Sequence, residues 1–210
     1  AMNNILKAYF NEINHRGGIY GRKLELVTLF LPDDQKLHAQ QIETWLAEQQ
    51  VFSLLSTFLP GAETKLSEIT RALNIPLVGP FTLFPSATFS QDRQTFYLYP
   101  GLTEQMQILL HFVTQQTLQA KPQLAILYPQ QGSLDAFLSG IRQTSRERHW
   151  AKPLEIALGT ESTTQLIGHL KKAAVDLVIF LGDERQTGEF LKTAADENWV
   201  PYILGSGMLA

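Results

Sequence analysis

An α/β fold with parallel sheets flanked by helices is what this sequence predicts, and three observations predict it. Strand and helix patterns alternate one for one through the second half of the chain. Strand segments such as AILY (Ala125–Tyr128) and LVIF (Leu177–Phe180) are apolar on both faces, as in sheets covered by helices on each side. The seventeen residues Asn11 to Val27, NEINHRGGIYGRKLELV, run a helix end, a glycine turn and an apolar strand pattern together.

The elements follow in order. Ile5, Leu6, Tyr9, Phe10 and Ile13 recur at helical spacing, so the chain opens with an amphipathic helix. Gly17 and Gly18 supply the left-handed geometry that ends helices. Lys23–Phe30 reads as a strand. Asp33-Asp34 leads a helix through Ala39, Ile42, Trp45 and Leu46, and Val51–Leu55 is a short strand. Pro60-Gly61 opens a helix to about Leu73, and Ile75–Val78 is the next strand. Phe81–Gln94 is a looser stretch punctuated by Pro, Ser and Asp. Thr95–Tyr99 is a strand, and Pro100-Gly101 breaks the chain.

Beyond that break the pattern is cleaner. Helices are predicted from Glu104 to about Leu118, Ser133 to Arg148, Thr163 to Ala174 and Glu184 to about Glu197. Strands are predicted over Gln123–Tyr128, Leu154–Leu158, Asp176–Gly182 and Tyr202–Leu204. The predicted domains are two Rossmann-like lobes, 1–100 and 101–210, with a hinge near 99–103.

Bulk properties exclude several classes of function. With 44% hydrophobic and 18% charged residues in 210, the chain is globular rather than disordered. A net charge of -3 gives no electrostatic footprint for nucleic acid. Arg142, Arg146 and Arg148 cluster around Glu147, which reads as a solvated helix face. With no cysteine, thiolate catalysis, disulfides and cysteine zinc sites are ruled out. The five histidines show no metal-ligand spacing, and no apolar run approaches the ~20 residues that span a bilayer. No cofactor is implied.

The opening segment resembles the helix–GG–strand unit of type I periplasmic solute-binding proteins, the branched-chain amino-acid-binding group, where it reads roughly EINAxGGINGRKIELV. Further segments are similar in the same order: VFSLLSTFLPGAETKLSEI, ALNIPLVGPFTLF, QLAILYPQQGSLDAFLSGI, and the stretch from AAVDLVIFLGDERQ to YILGSG. The resemblance implies a periplasmic-binding-protein-like fold of two lobes that close on a small molecule. It also implies permease subunits of an ABC importer as partners, no membrane insertion, and a place on the periplasmic or extracellular face. An export leader would lie outside this chain.

The departures are as informative. The family begins with a strand and a PLTG loop before its first helix, and continues past the point reached by Ala210. The chain therefore resembles a member truncated at both ends. Without that first strand, Lys23–Phe30 and Val51–Leu55 are expected either to pair directly or to recruit a strand from another chain, forming a homodimer through the incomplete sheet.

Ligands of open parallel sheets bind beyond the carboxyl ends of strands. In the first lobe this selects Ser56–Gly61 and Gly79–Phe84, with backbone N–H groups at the Pro60-Gly61 helix start available to a carboxylate. The resemblance implies a hydroxyl clamp for an amino acid there. Pro60 stands where its Ser belongs, and Thr82, between Phe81 and Leu83, is the one hydroxyl retained in the second loop. Phe58, Phe81 and Phe84 point to an aromatic or apolar ligand, or else pack under the loops. In the second lobe Gln131 replaces a stacking tyrosine. Gly182-Asp183 follows the LVIF strand, where Asp183 either binds an ammonium or hydroxyl or caps the next helix. Asp33 and Asp34 read as helix-capping acids.

No nucleophile–base or acid–base constellation emerges, so the expected role is binding rather than catalysis. The expected ligand is amino-acid-like, or an aromatic or apolar carboxylate. A ligand-sensing regulatory module of the same fold, uncoupled from transport, is the second reading.

Overall fold

A computed structural model describes residues 2–31, 38–59, 62–85, 93–116, 121–130 and 134–206. The chain divides into two compact units, Ala1–Phe52 and Ser53–Ala210. Asp33-Asp34, Pro60-Gly61 and Gln131 lie outside the described residues.

The first unit holds helices α1 (Met2–His15) and α2 (His38–Gln49). α1 has the amphipathic spacing expected of it, yet none of its residues is buried; Ile5 and Tyr9 are 69% and 63% exposed. Its end is a Schellman turn: the Gly18 N–H donates to the Ile13 carbonyl and the Gly17 N–H to that of Asn14. Gly18 could carry no side chain, since a Cβ would sit 2.1 Å from the Arg22 carbonyl oxygen. Ile19 and Arg22 then pair across Tyr20 and Gly21, whose positive φ angles of 51° and 75° suit a tight primed turn. In α2, Ile42 and Leu46 bury one face.

The strand expected over Lys23–Phe30 does not form, and neither does its direct pairing with Val51–Leu55. Among the described residues no ladder reaches this segment. The polar groups of Leu24 bond instead to the side chain of Asn14. Apolar sequence makes a strand only where another strand supplies the ladder.

The second unit carries two parallel sheets. β1 (Leu54–Leu55), β2 (Leu77–Val78) and β3 (Thr95–Phe96) form the first in sequential order, with α3 (Glu63–Ala72) between β1 and β2. After helix α4 (Leu102–Gln116) come β4 (Leu124–Tyr128), α5 (Asp135–Glu147), β5 (Leu154–Ala157), α6 (Thr163–Lys172), β6 (Leu177–Phe180), α7 (Glu184–Asp196) and β7 (Tyr202–Leu204). The second sheet runs β5-β4-β6-β7, every pair parallel.

Strand pleating sorts this sheet's apolar residues into two cores. Leu124, Ile126, Leu177 and Ile179 pack with Met106 and Leu110 of α4 and Phe137 and Ile141 of α5. Ala125, Leu127, Val178 and Phe180 face the other way, toward Ile167 and Leu170 of α6 and Phe190 of α7. Hence AILY and LVIF are apolar throughout: both faces are covered, as their sequence predicts.

Four helices of this unit, α3, α5, α6 and α7, end alike. Asn74, His149, Ala174 and Asn198 follow the helix caps with φ near +50°, and the next residues, Ile75, Trp150, Val175 and Trp199, donate N–H groups back to Thr70, Ser145, Leu170 and Ala194. Each of those four is apolar, so the turn that stops the helix also returns the chain to the sheet. Two members of the arginine cluster are held by neighbours, while Arg146 is exposed on the helix face. Arg142 holds Glu155 through two bonds of 2.6 and 2.5 Å, and Arg148 donates to Thr114 while lying 5.2 Å from the Trp150 ring centre.

Candidate functional site

At the carboxyl ends of the first sheet lies a small, shallow, solvent-open depression. Its elements follow from the sheet's geometry, since each strand hands over to a loop on this edge. After β1, Thr57 and Leu59 form one wall. Glu63, Leu66 and Ser67 of α3 form another, and the loop after β2 contributes Pro80, Phe81 and Thr82. Tyr97 closes it from beyond β3, and Leu77 lies at the floor.

The loops are fixed to one another. The Phe81 N–H donates to the Thr57 carbonyl at 2.8 Å, so Phe58 and Phe81 form a parallel bridge one step beyond the sheet. Gly79 reaches this path with φ +62°, and a Cβ there would meet the Leu98 side chain at 2.8 Å. Phe81 stacks on Tyr99 with ring centres 5.6 Å apart. Thr82, 6% exposed, spends its hydroxyl accepting from the Phe84 N–H at 3.0 Å, a local turn bond.

Three polar groups in this depression have no such employment. Oγ1 of Thr57 is buried without a hydrogen-bond partner among the described residues. Ser67 is 4% exposed, lines the depression, and its hydroxyl makes no hydrogen bond among the described residues. Glu63, half-buried at the first turn of α3, has no ion-pair partner there either. It is the one charged side chain among the described lining residues. A carboxylate therefore stands at the helix start where the sequence suggested that an anion would be received.

The expected site residues meet different fates. Phe81 and Thr82 line the depression. Phe58 is 66% exposed and lies beside it through its bridge to Phe81. Leu83 turns instead to the second sheet, packing against the α4–α5 core while its carbonyl accepts from the Leu102 N–H. Gly182 and Asp183 sit on the other sheet, beyond the end of β6. There the strand order reverses between β4 and β6, the switch point at which open sheets bind ligands. Gly182 is buried, and a Cβ would lie 2.5 Å from the Phe180 ring. Asp183 is the N-cap of α7, its Oδ1 accepting from the Gln186 N–H at 2.7 Å in a capping box.

Glu63, Ser67 and Tyr97 escaped the sequence reading, and Thr57 lies within the selected stretch Ser56–Gly61 without being singled out there. Thr57 alone carried a legible signal, a hydroxyl two residues past a strand on the ligand-binding edge. Glu63 and Ser67 look like ordinary helix residues until α3 turns both toward the depression, four positions apart on one face.

Among the described residues no group of three or more His, Asp or Glu could hold a metal, and no helix is long and apolar enough to cross a membrane. Parallel sheets covered by helices place the fold in the α/β class. A family profile described as periplasmic binding protein matches residues 1–209, and the chain belongs to that family. No curated protein matches it in sequence.

Solved structures share the fold. A branched-chain amino acid ABC transporter protein from Thermus thermophilus with bound valine superposes with a TM-score of 0.74 at 19% identity, over 96% of this chain and 53% of that one. An ABC transporter substrate-binding protein from Desulfitobacterium hafniense in complex with Leu gives 0.76 at 16%, over 95% and 60%. A fatty acid ABC transporter substrate-binding protein from Thermomonospora curvata gives 0.71 at 17%, over 95% and 50%. The chain spans between half and three fifths of the length of these relatives.

Proposed function

We propose that this chain is a solute-binding receptor of an ABC-type importer, working outside the cytoplasmic membrane and delivering a small molecule to permease subunits. The observation that carries this reading is the depression at the carboxyl edge of the first sheet, where the Thr57 hydroxyl is buried without a partner among the described residues, in a chain of the periplasmic binding protein family. Buried polar groups are normally satisfied, and a site that leaves one unpaired is suited to a ligand that completes it.

The ligand would be a small solute with an apolar or aromatic body, matched to Leu66, Leu77, Phe81 and Tyr97. The lobes 1–100 and 101–210 would close on it about a hinge near residues 99–103, bringing the edge that bears Gly182 and Asp183 toward the edge that bears Phe81. The role is capture and presentation, with no bond made or broken.

Thermal unfolding in the presence of a broad panel of small solutes tests this. A specific ligand at a hundred times its Kd stabilises by about 2.7 kcal/mol, a shift of several degrees. A panel spanning amino acids, amines, carboxylates and neutral polar solutes that leaves the midpoint unmoved overturns the reading.

A further inference from the structure

We infer that the depression on the first sheet recognises an organic ammonium, an amine with an apolar or aromatic body, and that the Glu63 carboxylate is its charge partner. This rests on the receptor reading above and narrows it to a chemical class.

Charge decides the class. Of the described residues that line the depression, Glu63 alone is ionised, and no lysine, arginine or histidine accompanies it. A carboxylate ligand entering here would meet a like charge with no compensating cation. An ammonium would meet an opposite one. The start of α3 does not reverse this balance. Its partial positive charge is already faced by Glu63, which lies in the first turn, where acidic side chains complement the helix dipole.

Hydrogen-bond capacity accommodates an ammonium, and the charge of Glu63, rather than the hydroxyls, makes the distinction from a carboxylate. An ammonium offers only donors. Glu63 offers carboxylate acceptors, and Ser67, one helical turn further along the same face, adds a hydroxyl oxygen without a partner among the described residues. Thr57, another lining residue, brings a third oxygen, buried and without a partner among the described residues. Around these acceptors the surface is apolar and aromatic: Leu66 and Leu77 suit a hydrocarbon body, and Phe81 and Tyr97 are ring types that favour a nearby cation. The Thr82 hydroxyl, the one retained from the amino-acid clamp, already accepts a backbone N–H.

Calorimetry with three matched probes tests the assignment: phenethylamine, 3-phenylpropionate and phenylalanine, which share a ring and differ in charge. The amine is expected to bind at least about tenfold more tightly than the other two, roughly the worth of one charge-assisted hydrogen bond. Its affinity should fall as ionic strength rises. Glu63→Gln, nearly the same in shape, should weaken the amine by about tenfold or more while the melting curve stays cooperative.

Binding of the carboxylate or the amino acid as tight as that of the amine overturns the inference and leaves the receptor reading standing. So does amine binding indifferent to salt and to Glu63→Gln. Should Glu63→Gln fail to fold, the probe ranking and salt dependence of the unaltered chain decide the matter alone. No binding by any probe overturns the inference. The receptor reading then falls only if the broader solute panel is also silent.

Discussion

The side chain of Asn14 grips both backbone groups of Leu24. Its Oδ1 accepts from the Leu24 N–H at 2.7 Å and its Nδ2 donates to the Leu24 carbonyl at 2.8 Å. A side-chain amide has one donor and one acceptor edge, spaced like those of a peptide group, so Asn14 acts as a one-residue strand neighbour. It stands where α1 ends, and the Gly17–Gly18 turn and the Ile19–Arg22 bridge bring Leu24 back to it.

Asn14→Ala removes both bonds without a substitute. Two part-buried hydrogen bonds at about 0.5–1.5 kcal/mol each predict a loss of about 1–2 kcal/mol, local to this turn. Amide exchange is the direct measurement: the Leu24 N–H should exchange about tenfold faster in the variant, with amides of β4 and β6 unchanged. Leu24 exchange equal in both proteins would show the grip to be energetically idle.

A second prediction concerns how helices stop. Ala174 closes α6 at φ +52°, a conformation that costs an L-residue about 1–2 kcal/mol and glycine almost nothing. Glycine also loses more entropy on folding, which offsets part of that gain. Ala174→Gly should therefore stabilise by about 0.5–1 kcal/mol, and Ala174→Val, β-branched at the same exposed position, should destabilise by at least as much. Urea unfolding midpoints of the two variants should fall on opposite sides of the parent's.

The third prediction is a pH dependence. Arg142 holds the Glu155 carboxyl below the ordinary carboxylate value, chiefly through their hydrogen bonds and against the opposing effect of burial. A carboxyl depressed in the folded state binds fewer protons there than in the unfolded chain, so its contribution to stability is present above about pH 4.3 and disappears as the pH falls through the lower folded value. Arg142→Ala removes the cause. The stability gap between parent and variant should thus be full near neutrality and shrink in acid. A gap constant down to strongly acidic pH would rule the linkage out.

How much of this was legible in the sequence depended on where each element finds its partners. β4 and β6 were readable because their neighbours, β5 and β7, lie within the same stretch of chain, and both faces are covered by helices that the same stretch encodes. Lys23–Phe30 has an equally strand-like pattern, but ladder formation depends on a partner that the pattern cannot specify. Asp183 could be read two ways, and the Gln186 three positions on, which completes its capping box, was the deciding letter. The depression was half legible. Phe81 and Thr82 follow a strand on the expected edge, whereas Glu63 and Ser67 reach it through the rotation of α3, which depends on how that helix packs. Leu83 was grouped with its loop neighbours although its side chain serves the other sheet, because adjacent residues in a tight loop point to different places.

The last prediction sets stability against binding at Thr57. Its Oγ1 is buried with no hydrogen-bond partner among the described residues, a condition that costs about 1–3 kcal/mol relative to a paired hydroxyl. Thr57→Val keeps the β-branched shape and deletes the polar atom, and the Thr57 carbonyl that fixes the Phe81 N–H is untouched. If the hydroxyl were only a packing defect, valine would raise stability by about 1 kcal/mol with no other consequence. If it is kept for a ligand, valine should raise the melting temperature of the unliganded chain and weaken solute binding by about threefold to tenfold, the worth of one neutral hydrogen bond. The two effects must be measured on the same variant, by thermal unfolding without solute and by calorimetry with the amine. A stabilised chain that binds as tightly as the parent would assign Thr57 to packing. A stabilised chain that binds more weakly would show that an unpaired hydroxyl, unfavourable in the empty protein, is retained because the ligand completes it.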